Sequence, residues 1–293
     1  MKNEIFFIND DTSKHLIIFI HGMGMDAKIW AKPDESRVLG GKYPLSILLD
    51  GKEPISSFHD LGDKGYPVLA WSQKRPAGPI SIAVDELMEI IDKYRLRKYS
   101  GMILIGHSRG GLVAKLFIQR EIAPVQGVIT LGTPHKGSTI AKWAAFISPA
   151  AMAIKRMMDM KDREVQTAIH RVMAFLSSDG LQEMLPDSDL IKSLLVAPKR
   201  AQRAISIGGT DASIVKIGKR SLSSILCEVT SPRLLPDELI DGLGDGFVSA
   251  ESAVYPGGDK HLNFRVNHAG LIFDPAVRKL ILKEIISLDY ATM

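Results

Sequence analysis

The sequence predicts an α/β fold, with a mostly parallel central sheet and helices on both of its faces. Three observations carry this. Short, branched, wholly apolar runs recur along the chain, as in strands buried on both faces. Between them lie segments whose apolar residues are spaced by three and four, the period of an amphipathic helix. The two kinds of segment alternate, as in a chain of βαβ units.

Six strands are expected, in chain order: Leu16–Ile20, Pro67–Trp71, Met102–Ile105, Val128–Leu131, Ala204–Ile207 and Leu262–Val266, the last with an alternating pattern. Three helices are readable between or after them. The first follows Pro79, with Val84, Leu87, Met88, Ile91 and Tyr94 at helical spacing and Lys93, Arg95 and Arg97 near its end; late basic residues suit the helix dipole. The second runs from about Arg109 to Ile122, with Leu112 above Leu116 and Val113 above Phe117. The third starts at Asp274-Pro275, a cap residue followed by proline at the first helical position, with Val277, Ile281 and Ile285 as its inner stripe.

One stretch breaks the alternation. From Ser138 to about Lys199 the pattern is helical with no strand, and it holds six of the twelve methionines: Met152, Met157, Met158, Met160, Met173 and Met184. It reads as a helical cap inserted between two strands. The expected organisation is a core formed by residues 1–137 and 200–293, with the cap at 138–199. The region from Ala31 to Asp63, rich in Gly, Pro and charge, receives no assignment.

Composition bounds the function. The chain has 293 residues, 45% hydrophobic and 24% charged, which excludes a disordered chain, a collagen and a disulfide mini-scaffold. Cys227 is the single cysteine, so no internal disulfide can form, and a reducing compartment is expected. No apolar stretch approaches the roughly 20 residues that span a bilayer, and the amino-terminal apolar run is too short for a signal peptide. A cytoplasmic location is therefore expected. The net charge of +4 is small for this length, and no basic run is interleaved with aromatics, so no nucleic-acid partner is expected.

The chemistry centres on Gly106-His107-Ser108-Arg109-Gly110-Gly111, which follows one expected strand and opens one expected helix. A G-x-S-x-G in that setting is a nucleophile elbow. The turn is so tight that a side chain at Gly106 or Gly110 would collide with a neighbouring element, and the serine is held strained at the carboxyl edge of the sheet. The free N–H groups of the helix then face any developing oxyanion.

A serine hydroxyl needs a base, and the base needs an acid to orient it. In this arrangement the chain order is serine, acid, histidine. His268 suits the base: it lies in Val266-Asn267-His268-Ala269-Gly270, after the last strand and before the last helix. His261 lies at the wrong end of its strand and His170 inside the cap, so both are expected to be solvated. His21, His107 and His135 suit packing or hydrogen-bonding roles. For the acid, Asp245 in Gly242–Ser249 comes first, ahead of Asp211, which follows the strand Ala204–Ile207, and Asp241. An aspartate in such a loop can also simply order its own turn. The oxyanion donors are expected to be the amides of Arg109, after the nucleophile, and Met23, in His21-Gly22-Met23-Gly24.

Together these pieces resemble the lipase and esterase branch of the α/β-hydrolases. Phe19–Gly24 is similar to the family's His-Gly oxyanion loop, Gly106–Gly111 to its elbow, and Asn267-His268 to its histidine loop. Leu131–Ser138 resembles the segment after the next strand in bacterial lipases and related inositol deacylases, and Asp245–Ser249 their acid loop. The resemblance implies an α/β-hydrolase fold and ester hydrolysis by Ser108, Asp245 and His268, and it favours Asp245 over Asp211. Ala269-Gly270 stands where many secreted members place acidic residues near a structural calcium, so neither a metal nor a cofactor is expected.

The expected activity is hydrolysis of carboxylic esters of lipid or acyl-chain substrates. The partners are then a small-molecule ester or lipid and, through the Met-rich cap, transient contact with a membrane surface. Two other readings use the same residues: an acyltransferase in which an alcohol replaces water, and a non-catalytic binding protein on a hydrolase fold.

Overall fold

The five residues Leu16–Ile20 form strand β2, and none of them is exposed to solvent. Their side chains alternate between two cores. Leu16, Ile18 and Ile20 pack on one face of the sheet, and Ile17 and Phe19 on the other. This two-sided burial is why the run carries no polar alternation. The computed structural model describes residues 4–37, 54–140, 178–195, 203–213, 216–217, 220–221 and 235–292.

Strands β1 (Ile5–Ile8), β2, β3 (Val68–Trp71), β4 (Met102–His107), β5 (Val125–Leu131), β6 (Arg203–Gly209) and β9 (Lys260–Phe264) build a seven-stranded sheet. Its order is β1-β3-β2-β4-β5-β6-β9, antiparallel at β1–β3 and parallel elsewhere. Lys216–Ile217 (β7) and Arg220–Ser221 (β8) form a separate antiparallel pair. Parallel neighbours need crossovers, and helices supply them. On one face lie α3 (Ile80–Lys93) and α4 (Arg109–Gln119). On the other lie α1 (Lys28–Ala31), α2 (Ser57–Asp63), α7 (Gly270–Phe273) and α8 (Pro275–Thr292). Arg278 clamps α8 to α2 through two hydrogen bonds to the Asp60 carboxylate, at 2.7 and 2.6 Å.

Several elements differ from expectation. β1 lies outside the six expected strands: its run is wholly apolar but only four residues long, and at the sheet edge Phe7 and Ile8 are left exposed. The last strand begins at Lys260 and ends at Phe264, two residues before the expected span. Its first residues are polar because it is an edge strand. There His261 is half-buried rather than solvated, hydrogen-bonded to Ser206 Oγ at 2.8 Å and Asn263 Oδ1 at 3.0 Å. Helix α4 stops at Gln119, and Glu121 turns to φ 52°, which ends the helical path before Ile122. In α3 the buried stripe is Ile80, Ala83, Val84, Leu87, Ile90 and Ile91, while Met88 and Tyr94 face outward.

The expected cap lies partly outside the described residues, as do Cys227, His170 and five of its methionines. Within its span, α5 (Asp179–Gln182) and α6 (Asp189–Leu195) are helical and pack Leu181, Ile191 and Leu194, with Met184 from the turn between them, into the core on the α3–α4 side. In the unassigned region, Pro33–Glu35 makes one 3₁₀ turn and Ser57–Asp63 is α2. No helix among the described residues is long and apolar enough to cross a membrane.

The tightest packing is where α4 starts. A Cβ on Gly110 would stand 2.3 Å from the Ile20 carbonyl oxygen, and one on Gly106 would stand 2.5 Å from the Gly110 and Gly111 backbone. Backbone cannot yield as a flexible side chain can. Gly110→Ala is therefore expected to destabilise the protein by about 3 kcal/mol, at the upper end for overpacking. Urea unfolding monitored by circular dichroism checks this, and an unchanged midpoint would show that the crossing is looser than described.

Candidate active site

Ser108 links β4 to α4 with φ 53° and ψ −125°, a conformation that L side chains rarely adopt. Such a residue costs about 1–3 kcal/mol and persists only where the surroundings impose it. Here they are the glycine contacts at the start of α4 and two backbone bonds. Ser108 N–H donates to the Leu131 carbonyl at 2.8 Å, and Gly111 N–H donates to the Ser108 carbonyl at 3.0 Å. The result lifts the Ser108 side chain off the sheet edge into a cavity.

The loop after β2 passes directly beside it. A Cβ on Gly22 would lie 3.2 Å from Ser108 Cβ and 2.9 Å from His107 Nδ1, so only glycine permits this approach. Gly24, at φ 68°, turns the loop away again. The amides of Met23 and Arg109 make no hydrogen bond to another described residue. Both are therefore free to donate near Ser108, and the Arg109 amide stands in the first turn of α4, where the helix dipole favours negative charge.

Asp245 and His268 meet beside the cavity, with His268 in its wall. His268 N–H donates to the Asp245 carbonyl at 3.0 Å, and His268 Nδ1–H donates to Asp245 Oδ2 at 2.8 Å. The other carboxylate oxygen accepts from the Phe247 and Val248 amides at 3.0 and 2.8 Å. Asp245 is fully buried. With Nδ1 carrying a proton toward the carboxylate, Nε2 is left as the acceptor of the neutral ring. The other two aspartates stand elsewhere. Asp211 accepts from Ser213 N–H at 2.9 Å, ordering its own turn, and Asp241 is exposed and meets Arg265.

Ser108 and His268 line one cavity of about 110 Å³. Its remaining wall is almost wholly apolar and includes Met23, Pro134, Leu181, Met184 and Phe247. The Phe247 ring lies 5.2 Å from the His268 ring. On the other side the His107 ring lies 4.6 Å away, and His107 Nε2–H donates to the His268 carbonyl at 3.0 Å.

The buried histidines around the site are neutral. Burial pushes His21 down to about 4, against the hydrogen bond to Gly22 and with the added repulsion of Arg109. Burial, then the neighbouring His268, hold His107 well below the usual imidazole value. Burial and the nearby Lys115 do the same for His135, whose Nε2 pairs with Thr130 Oγ1 at 3.0 Å. Burial lowers the Arg109 guanidinium to about 10, opposed by the carboxylates of Glu183 and Glu86. Among the described residues, no group of three or more His, Cys, Asp or Glu side chains is gathered to hold a metal ion.

Sequence reasoning missed Gln73, which is 2% exposed and bridges Arg109 to His21. The one available signal was a lone amide two residues past the end of a fully apolar strand.

A serine on a glycine-bounded strand-to-helix turn of a parallel sheet, with an acid–histidine pair on later loops, decides the architecture. The chain has the α/β-hydrolase fold. Residues 80–219 match the family described as the PGAP1-like alpha/beta domain. The mature lipase of Bacillus licheniformis is similar, at 16% identity and a TM-score of 0.58 over 96% of this chain and 98% of that one. An esterase from Exiguobacterium antarcticum is similar at 12% identity and a TM-score of 0.53, covering 97% and 95% of the two chains. An enol-lactonase from Burkholderia xenovorans is similar at 13% identity and a TM-score of 0.53, covering 97% and 96%. No curated protein matches the sequence significantly. At these identities the α/β-hydrolase likeness is one of fold, and function has to be argued from the site.

The neutral histidines set a pH dependence of stability. In the unfolded chain their imidazoles titrate near 6.5, whereas in the fold His21, His107 and His135 resist protonation. Between those values the unfolded state binds more protons. The stability they contribute is complete above about pH 7 and lost as pH falls through 6.5 toward 4, by up to about 1.4 kcal/mol per pH unit for each residue. Urea midpoints at pH 7.5 and 5.0 check this; equal midpoints would contradict it.

Proposed function

We propose that this protein is a serine hydrolase that cleaves carboxylic esters bearing an acyl chain. The observation that carries the reading is the His268–Asp245 hydrogen bond opening on the same apolar cavity as the strained Ser108. His268 Nε2 takes the Ser108 proton as Oγ attacks the ester carbonyl. The carbonyl electron pair moves to oxygen, where the Met23 and Arg109 amides stabilise it. Collapse of the tetrahedral species expels the alcohol, which takes the proton from His268 and leaves an acyl-serine. Water, deprotonated by His268, repeats the attack and releases the acid. Asp245 orients the ring throughout and stabilises its charged form.

The apolar cavity wall supports an acyl chain, because it can match hydrocarbon but has little to offer a polar group. Met23 and Met184 are unbranched and adapt to irregular shapes. In this reading residues 138–199 form a cap over the core of 1–137 and 200–293, and Leu181 of α5 and Met184 just after it contribute to the cavity wall. Contact of that cap with a lipid surface would deliver the substrate.

The test is turnover of p-nitrophenyl esters. Ser108→Ala is expected to lower kcat by about 10⁶ and Asp245→Asn by about 10⁴, while Asp211→Asn changes it by less than about two-fold. Retained turnover in Ser108→Ala would end the proposal. Across acetate, butyrate, octanoate and dodecanoate esters, kcat/KM is expected to rise with chain length. A flat or falling series would replace the acyl-chain substrate with a small ester.

A further inference from the structure

Two amides on different loops must hold one oxyanion, and a displacement near 1 Å costs about a hundredfold in rate. What fixes Met23 relative to Arg109 is therefore a specific question. The segment Ser72–Pro79, after β3, tethers the loop carrying Met23 on both sides of that residue. Upstream, Gln73 N–H donates to His21 Nε2 at 3.1 Å, and Gln73 Nε2 donates to the His21 carbonyl at 3.3 Å. Downstream, Gly24 N–H donates to the Pro76 carbonyl at 3.1 Å. Because His21 Nε2 accepts, its Nδ1 carries the proton, and that proton goes to the Gly22 carbonyl at 2.8 Å.

The tethering segment is itself gripped by Arg109. Its guanidinium donates to Gln73 Oε1 at 2.5 Å, to the Gly78 carbonyl at 2.8 Å and to the Pro79 carbonyl at 3.1 Å. All three acceptors are neutral, and Arg109 is fully buried. A buried guanidinium without a direct carboxylate partner is costly for stability alone. Here its side chain holds the segment that tethers the loop of one oxyanion donor, while its backbone carries the other.

We propose that Arg109, Gln73 and His21 form a positioning relay that sets the distance between the two oxyanion donors. The proposal rests on the ester-hydrolase reading. Its pivot is Gln73, whose side-chain oxygen accepts from Arg109 while its nitrogen donates to His21. Only an amide does both. A glutamate at this position would keep the Arg109 bond, as an ion pair, but would lose the donor and face the His21 carbonyl with negative charge. A leucine would fill the space and lose both bonds. If Gln73 only packs the loop, either substitution serves.

The experiment compares wild type, Gln73→Glu and Gln73→Leu, each with its fold checked by circular dichroism and thermal melting. For both variants kcat on p-nitrophenyl butyrate is expected to fall about 10- to 100-fold, with KM within about two-fold. Affinity for an alkyl trifluoromethyl ketone, which forms a hemiketal oxyanion on the serine, should fall by the same factor as kcat. Affinity for a fatty alcohol of the same length, which only fills the cavity, should not move. Folded variants with unchanged kcat, or with a loss confined to KM, would overturn the relay. If Gln73→Leu does not fold, Gln73→Glu decides, since it keeps the volume and the Arg109 contact. A wild type without ester turnover would overturn the hydrolase reading and the relay with it. An active wild type with unaffected variants would overturn the relay alone.

Discussion

The absence of side chains at Gly106 and Gly110 is the constraint on which the rest of the site depends. The carbonyl of Ile20 occupies the place of a Cβ at position 110, and the backbone of α4 occupies the place of one at position 106. With β4, β2 and the first turn of α4 pressed together this closely, the chain can pass from strand to helix only by putting Ser108 at positive φ. The same contact brings Gly22 against Ser108 Cβ, and Met23, the next residue, lines the same cavity as Ser108. One packing event thus produces the strain on the serine and its proximity to the loop after β2.

The loop carrying Asp245 is built on a similar economy of backbone. Gly244 sits against the backbone of Asp237 and Glu238 with no room for a Cβ, and Gly246 N–H donates to the Glu238 carbonyl at 2.7 Å. That holds the Asp245 carboxylate beneath His268. The Glu238 side chain accepts from Thr139 N–H at 2.7 Å, and Ser138 Oγ–H donates to the Phe247 carbonyl at 2.7 Å. Residues 138 and 139 are therefore bonded to the loop that carries both Asp245 and a cavity-wall ring. A shift at Ser138 would be felt at Phe247, whose ring lies 5.2 Å from that of His268.

Much of this was legible in the sequence because the chemistry demands residue types at fixed offsets. The turn around Ser108 needs glycine two residues before and after, and those glycines stand in the chain next to an apolar run and a helical pattern. The parallel strands were readable because burial on both faces removes polar alternation and helical segments separate them; β1 is as apolar, but it is four residues long and no helix lies between it and β2. Asp245 and Asp211 look alike in sequence, each in a glycine-containing loop. Only the folded path shows Asp211 bonded to Ser213 and Asp245 to His268. Gln73 was illegible because its role depends on Arg109 and His21, residues 36 and 52 positions away. The buried guanidinium was equally hidden, since arginine after a nucleophile reads as a surface residue until its acceptors on Gly78 and Pro79 are seen.

The central claim is that one hydroxyl among the serines is activated. It is tested most directly by treating the folded protein with an alkyl fluorophosphonate and locating the adduct by tandem mass spectrometry. The account predicts a single phosphonyl group on Ser108, absent when the protein is unfolded first and absent in a folded His268→Ala variant. Labelling at another residue, or a folded protein that takes up no label, would contradict it.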